Sequence, residues 1–397
     1  MRAASSRWIT VTQTSTSNTL KYWGTLLLEH KQGVAQASIE ASPSLRSVLA
    51  LLFVGYVVFV TVISAFRNYF AVVDQFGDNY TYIAIASAIR SWDFHNITVR
   101  HFWGLPYVVA GISLLTGTSI RTALLLVSFG ASLASVTLAH RLWGGWIAGF
   151  FTVLNFDWLQ RSFLGGAEPL FVALLFGTFL AVRNNCWLMG ALLASCSTVV
   201  RPMGLLALIA VGVVLLWRRE FRKFALASLV GLIVGGLYIV PLATYFGNPL
   251  ANVGGYQTNW DNGLPIGWPF YAIVKGTIDY SVPWTNLLVT YGWIVGVLLA
   301  AVAMVVTRRF HQFARNFPVE SLFAAAYLAF LYTYNSSYWT RGSFPRFALP
   351  IVPFALVALD RWIPKDRRVL WIAGFISSIL AAASAIGIRD MVSLIYH

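Results

Sequence analysis

Acidic residues are scarce: Asp and Glu number 14 in a chain of 397, and charged residues of both signs make up only 11%. An ordinary soluble domain is nearer a quarter charged. With 58% of its residues hydrophobic, a water-soluble core of this length has no means of hiding the apolar surface, whereas a bilayer does. Cysteine is almost absent. Cys186 and Cys196 share one apolar run, and on a helix they stand about 15 Å apart, too far to bridge. A disulfide framework is excluded, and both read as inert core thiols. No CxxC pair and no His-rich tract marks a metal site. Low-complexity tracts, a convincing internal repeat and a second soluble domain are also missing.

What the chain has is long apolar runs. Those at 48–66, 122–140, 168–182, 203–217, 224–244, 285–307, 319–335, 346–361 and 369–388 are candidate membrane spans. Two shorter runs, 144–156 and 186–199, are settled by charge. Arg218, Arg219, Arg222 and Lys223 form one basic cluster, Arg308, Arg309 and Arg315 a second, and Lys365, Arg367 and Arg368 a third. All three belong on the cytoplasmic side. With a cytoplasmic N-terminus, parity makes both short runs cross and leaves 102–118 lying at the outer interface. The expectation is an all-α polytopic membrane protein of about eleven spans, with residues 1–47 as a polar cytoplasmic tail and 48–397 as one transmembrane domain. The formal charge of +14 then reflects cytoplasmic loops rather than nucleic-acid binding.

The two longest outer loops are 67–121 and 245–284, and the acids lean toward that face. A secondary transporter or lipid flippase, the rival class, more often carries ionisable residues within its spans. In the first outer loop, Tyr82, Ile85, Ala86 and Ile89 recur at helical spacing behind Asp78, which predicts a surface-lying amphipathic helix. Asp78 is then either its N-cap or a carboxylate held at the mouth of a cavity. Glu168 precedes Pro169 at the start of a span, where a carboxylate suits a helix N-terminus. Arg201 lies between two short spans at a Pro-broken junction. A charge there is costly unless it is paired, snorkels to the interface, or binds a ligand. The loop 245–284 is rich in aromatics, Trp260 among them. These suit either sugar faces or an interfacial belt.

The pattern Asp78-x-x-x-Tyr82-x-x-Ile85-Ala86-x-x-Ile89, followed by Trp92-Asp93-Phe94, resembles the first extracytoplasmic loop of GT-C glycosyltransferases. That family includes protein O-mannosyltransferases, the lipid A aminoarabinose transferase and the second GPI mannosyltransferase. His101-Phe-Trp-Gly-Leu-Pro106-Tyr107, Gly165-Gly-Ala-Glu168-Pro169, Arg201-Pro202-Met-Gly204, Phe246-Gly247-Asn-Pro249 with Gln257-Thr-Asn-Trp260, and Pro345-Arg346-Phe-Ala-Leu-Pro350-Ile-Val-Pro353 are similar, in order, to further family segments. The resemblance covers about 48–362. It implies a bacterial inner-membrane enzyme that moves a hexose, mannose by preference, from a polyprenyl-phosphate donor to a hydroxyl of a glycan, lipid or protein acceptor on the extracytoplasmic side. It places the catalytic acid on Asp78, with Glu168 and Asp93 in support. Arg201, Arg346, Arg341 and Lys275 become candidate donor-phosphate ligands, and Tyr82, His101 and Trp260 line the substrate. The family's acidic doublet is absent, because Asn79 follows Asp78. No cofactor is implied with certainty. A divalent cation is left open, with Asp74, Asp78 and His95 as its candidate ligands.

Overall fold

The computed structural model describes residues 42–94, 101–257, 260–279, 284–337 and 343–396. Most of the expected tail, together with His95, Tyr280 and Arg341, lies outside the described residues. Among the described residues the chain is helical, and its β structure is a single isolated antiparallel bridge between Ile266 and Tyr334.

Five helices are long and apolar enough to cross a bilayer unaided: Leu45–Phe66, Ile120–Trp143, Phe221–Phe246, Leu288–Val306 and Arg367–Gly387. Each coincides with an expected span. Leu45–Phe66 shows why such a helix forms. Ser44 accepts a hydrogen bond from the Ser47 amide and caps the start. Val48, Leu51, Leu52, Gly55, Phe59 and Ile63 then make a buried stripe at helical spacing. Phe53, Val54 and Val57 stand exposed on the other face, where water would penalise them and lipid tails do not. Phe221–Phe246 goes further, burying only Ala227 and Leu242, so it is a peripheral helix whose apolar side chains suit a lipid environment.

The remaining expected spans are shorter or broken. Gly145–Leu154, Trp187–Val200, Gly204–Trp217 and Pro318–Thr333 are apolar helices of 10–17 residues. The run 144–156 does not end a span cleanly. Asn155 caps a further helix, Phe156–Leu164, which meets Ala167–Arg183 at 106°. The double glycine Gly165-Gly166 makes that corner, and Gly165 has φ of +102°, a conformation that favours glycine. The run 346–361 divides into Phe344–Ala348, a 3-10 turn at Leu349–Ile351 and Val352–Leu359. Pro350 and Pro353 each remove a helical N–H donor at these joints.

The first outer loop is more structured than its sequence announces. Tyr69–Gln75 is an additional helix, and Asn79–Ser91 is the expected amphipathic one, burying Tyr82, Ile85 and Ala86. The segment 102–118 contains the helix Gly104–Thr116, which at 13 residues is about 20 Å long, short of a full crossing. It packs against Asn79–Ser91, Ile120–Trp143 and Trp187–Val200. The long outer loop 245–284 carries helices Ala251–Gln257 and Tyr271–Asp279. Cys186 is exposed and Cys196 half-buried, both free, so Cys186 is not the core thiol its apolar neighbours suggested.

Close approach at Gly104 holds this end of the bundle together. A Cβ there would meet the Val199 carbonyl oxygen at 2.5 Å, whereas at Gly111, about two turns further along the helix, it would meet nothing within 4 Å. Backbone cannot step aside as a side-chain tip can. Gly104→Ala is therefore expected to lower stability by about 1–3 kcal/mol. Gly111→Ala is expected to be neutral or slightly stabilising. Thermal unfolding of both variants in detergent checks the pair.

Candidate functional site

The order in which the helices meet brings five distant side chains together. Asp78 opens Asn79–Ser91, Arg161 sits on Phe156–Leu164, Glu168 lies in the first turn of Ala167–Arg183, Arg201 follows Trp187–Val200, and Arg346 rides on Phe344–Ala348. Glu168 is buried, with 4% of its surface exposed. Its Oε1 accepts hydrogen bonds from Arg201 Nη2 and Arg346 Nε, and its Oε2 faces Arg161 Nε at 4.0 Å. Three guanidiniums thus converge on one carboxylate. Arg346 also donates through Nη2 to Asp78 Oδ2 at 2.8 Å, so a single arginine bridges the two acids.

Each arm of this cluster is braced. Asn155, fully buried, donates to the Pro345 carbonyl at 2.8 Å, and the Tyr327 hydroxyl donates to the Phe347 carbonyl at 2.9 Å. These two bonds fix the short helix that bears Arg346. The guanidinium of Arg161 stacks on Phe76, 4.5 Å from the ring centroid. Gly77 covers it, at φ of +53°, where a Cβ would lie 2.6 Å from Arg161 Nη1. His101 Nε2 stands 3.3 Å from Asp78 Oδ1. Asn252 holds the His101 backbone by donating to its carbonyl at 2.6 Å, and Tyr238 in turn donates to Asn252 at 2.9 Å. The Tyr82 ring meets the His101 ring edge-on at 5.5 Å.

Asp78 occupies the N-cap position of its helix, but its side chain makes no capping bond. Its carboxylate is spent on Arg346 and His101 instead. Burial alone would raise its pKa, yet the Arg346 charge, the His101 hydrogen bond and the Arg161 charge outweigh burial and hold it well below the usual carboxylate range. A carboxyl depressed in this way contributes its stabilisation fully above its unfolded pKa, about 3.9, and loses it as pH falls through the lower folded value. Asp78 is therefore ionised throughout the neutral range.

Asn79 accounts for the missing acidic doublet. It is fully buried, and its Nδ2 donates to the carbonyls of Val73 at 2.8 Å and Leu164 at 2.7 Å. An amide supplies those donors, and a carboxylate cannot.

The other expected residues are distributed differently. Asp74 turns away to Arg121, which donates to it through Nε at 2.6 Å and again through Nη2. Asp93 is exposed beyond the left-handed Trp92 cap. Lys275 pairs with Asp261 at 3.0 Å, and Asp261 also accepts from the Ser337 amide and hydroxyl, both at 3.1 Å. Lys275 thus fastens the outer loop rather than joining the arginines. Trp260 donates to the Tyr334 hydroxyl at 3.2 Å in the same loop. Among the described residues no three His, Cys, Asp or Glu side chains converge as a metal-ligand set.

Two residues escaped the sequence reading: Arg161 and, one turn before it, Asp157. Their i, i+4 spacing between Asn155 and Gly165 was the available signal. Buried atoms of this pair and of Glu168 are left without hydrogen-bond partners: Arg161 Nε and Nη1, Asp157 Oδ2 and Glu168 Oε2. Unsatisfied donors and acceptors concentrated at one buried point mark a place built to receive a polar group. The cleft beside them, lined by Glu168, Arg201, Arg346, Tyr327 and Phe347, has a volume of about 10 Å³, room for about one water. The arginines therefore rest closed on Glu168.

No protein-family profile matches the sequence, and no curated protein matches it. Among solved structures the fold is similar to that of ArnT from Cupriavidus metallidurans bound to undecaprenyl phosphate. That similarity has a TM-score of 0.51 and 16% identity, over 80% of this chain and 61% of that one. The apo state of the same protein gives a TM-score of 0.47 at 14% identity, over 79% of this chain and 59% of that one. The chain therefore spans about three fifths of the neighbour's length. The likeness is one of fold: an all-α, polytopic membrane architecture similar to that of ArnT.

Restoring the doublet by Asn79→Asp would set a carboxylate against two carbonyl oxygens. The expected outcome is a loss of about 1–3 kcal/mol of stability with no gain of metal dependence. Thermal unfolding with and without divalent cations checks this, and metal-stimulated stability would contradict it.

Proposed function

We propose that this chain is a membrane glycosyltransferase that takes a sugar from a polyprenyl-phosphate donor and passes it to an acceptor hydroxyl at the Asp78 end of the bundle. The observation that carries the proposal is the convergence of Arg161, Arg201 and Arg346 on one carboxylate next to a second, Asp78. Guanidinium forks match phosphate oxygens as well as carboxylate oxygens, and Glu168 occupies the place where a donor phosphate would compete for them. That the ArnT neighbour was solved bound to undecaprenyl phosphate supports the choice of donor class. A hexose, with mannose preferred, and an extracytoplasmic site in a bacterial inner membrane remain parts of this reading that rest on the motif resemblance.

The chemistry follows from charge. The lipid phosphate is a good leaving group once its developing charge is matched by arginines, so no strong general acid is required. The acceptor hydroxyl must lose its proton to a nearby base, and Asp78 is that base. Held by Arg346, it is a weak one. A donor phosphate that draws Arg346 toward itself removes the cation that depresses Asp78 and raises its proton affinity. Arg346 thereby couples donor binding to base activation. Attack from the face opposite the phosphate inverts the anomeric centre, by the geometry that separates base and leaving group in inverting glycosidases. His101 positions Asp78 through Oδ1, while Glu168 returns the arginines to their resting state after release. Asp93, Lys275 and Trp260 take no part in this core step: Asp93 is exposed past its helix, and Lys275 and Trp260 fasten the loop 245–284, while Tyr82 acts only by supporting the His101 ring.

One observation favours a transporter or flippase: the 106° break between Phe156–Leu164 and Ala167–Arg183, since transporters bind substrate at broken helices. Incubation with labelled polyprenyl-phosphate mannose separates the readings. Product formed in detergent supports the transferase, whereas flux seen only across sealed vesicles supports the rival.

Asp78→Asn is expected to leave folding intact and to reduce transfer by at least about a hundredfold, the usual contribution of a positioned base. A fully active variant would remove Asp78 from the mechanism. Because the Asp78 pKa lies well below the usual range, the pH–rate profile of the donor-free enzyme, read as kcat/KM, should show no acid limb from Asp78 above about pH 5.

A further inference from the structure

A second cationic pocket lies at the opposite end of the bundle. The helix that begins at Ala167 beside Glu168 ends at Arg183, and the helix that follows Arg201 ends at Trp217, capped by Arg218. Each rises about 20–25 Å, so Arg183 and Arg218 sit a membrane leaflet or more away from Asp78. Between them is a cavity of about 220 Å³, lined by Arg183, Asn185, Trp187, Arg218, Phe317 and Glu320 among others. That volume is ample for a phosphate group rather than a single water.

The two arginines are used differently. Arg183 is fully engaged. It donates to both oxygens of Glu320 at 2.6 and 2.8 Å and to the Leu142 carbonyl at 2.6 Å, and it lies over Phe317 at 3.7 Å. This neutralises the pocket's only carboxylate. Arg218 lies over the Trp187 ring at 5.3 Å, and among the described residues it makes no ion pair. In sequence, Arg219 and Arg222 follow Arg218, with Lys223 paired to Glu220, and Arg308 and Arg315 precede the lining residue Asn316. Beside the pocket the surface is apolar. Trp217 is 80% exposed, and Leu188, Met189 and Leu216 are exposed too.

We propose that this pocket binds the phosphate of an anionic lipid, with Arg218 as the principal ligand, Asn185 as a neutral donor, and the acyl chains lying over Leu188, Met189 and Trp217. A basic pocket between helix ends at a membrane surface attracts anionic headgroups at about 1 kcal/mol per cation. The neighbouring exposed apolar side chains give a reason for the phosphate to arrive on a lipid. The site is separate from the Asp78 cluster and does not depend on the transferase reading.

The test uses the full chain, delipidated and returned to neutral phosphatidylcholine nanodiscs. Phosphatidylglycerol is titrated in and bound lipid is counted by native mass spectrometry. Wild type is expected to retain phosphatidylglycerol, with Arg218→Ala at least about fivefold weaker. Arg308→Ala, a change in a neighbouring basic cluster outside the pocket lining, is expected to stay within twofold of wild type. Inorganic phosphate at the same concentration should not displace the lipid. Equal affinity of Arg218→Ala and wild type would overturn the proposal. So would an equal loss in both variants, which would mean a diffuse surface field. Displacement by inorganic phosphate would overturn the lipid as the source of the anion. Because Arg218 is exposed, the variant should fold, and an unchanged elution profile verifies it.

Discussion

Arg346 bridging Asp78 and Glu168 is the interaction on which the rest depends. It ties residues 268 and 178 positions apart in sequence, and no local propensity can place them. The bundle places them. The Gly165-Gly166 corner swings Glu168 inward, the proline-broken segment 344–362 turns Arg346 back toward it, and Gly77 lets the loop before Asp78 close over Arg161. Buried ion pairs are weak sources of stability, since desolvation offsets most of the Coulomb gain. A chain with so few acids that spends two of them here, against three arginines, is organised around this cluster for something other than stability.

The sequence was a good guide wherever a residue's environment was decided by its near neighbours. The long spans followed from hydropathy, and Asn79–Ser91 followed from its 3.6-residue period. Asp78, Glu168, Arg201 and Arg346 were named from short motifs, and the structure brings all four together. What stayed hidden was decided by distant partners. Arg161 lies on a nine-residue helix between the apolar runs 144–156 and 168–182, and nothing nearby reveals that Phe76 and Gly77 cover it. Asp93 and Lys275 looked as eligible as Glu168 by composition. Trp92, adopting a left-handed C-cap, leaves Asp93 exposed past the end of its helix, and Asp261 holds Lys275 in the outer loop. The broken run 346–361 could be read as one span only because hydropathy ignores the missing N–H groups of Pro350 and Pro353.

Asn79 shows how one substitution in a motif can carry physical information. Read as a departure from an acidic doublet, it raised doubt about a two-carboxylate metal site. In the fold it is a buried double donor joining Tyr69–Gln75 to Phe156–Leu164, the helix that carries Arg161. The position next to Asp78 is therefore assigned to architecture. Asp78 is left with a histidine and an arginine as its partners rather than a second acid.

That choice of partners constrains any reaction at the site. A carboxylate paired with a fixed cation is ionised but feebly basic, and one with no cation nearby would be protonated by burial. Under the proposed reaction, neither state alone serves a base that must hold no proton before the acceptor arrives and take one afterwards. A mobile cation resolves the conflict. Arg346 is suited to this because it already divides its donors between two acids, and exchanging one of them for a phosphate leaves its fork satisfied. Arg201 and Arg161 cannot substitute for it, since neither forms an ion pair with Asp78. On that proposal, the requirement that one arginine reach both the leaving group and the base gives a reason for the helix bearing Arg346 to be pinned on either side of it, at the Pro345 and Phe347 carbonyls. A shift of that short helix would uncouple the two acids before it disturbed either one.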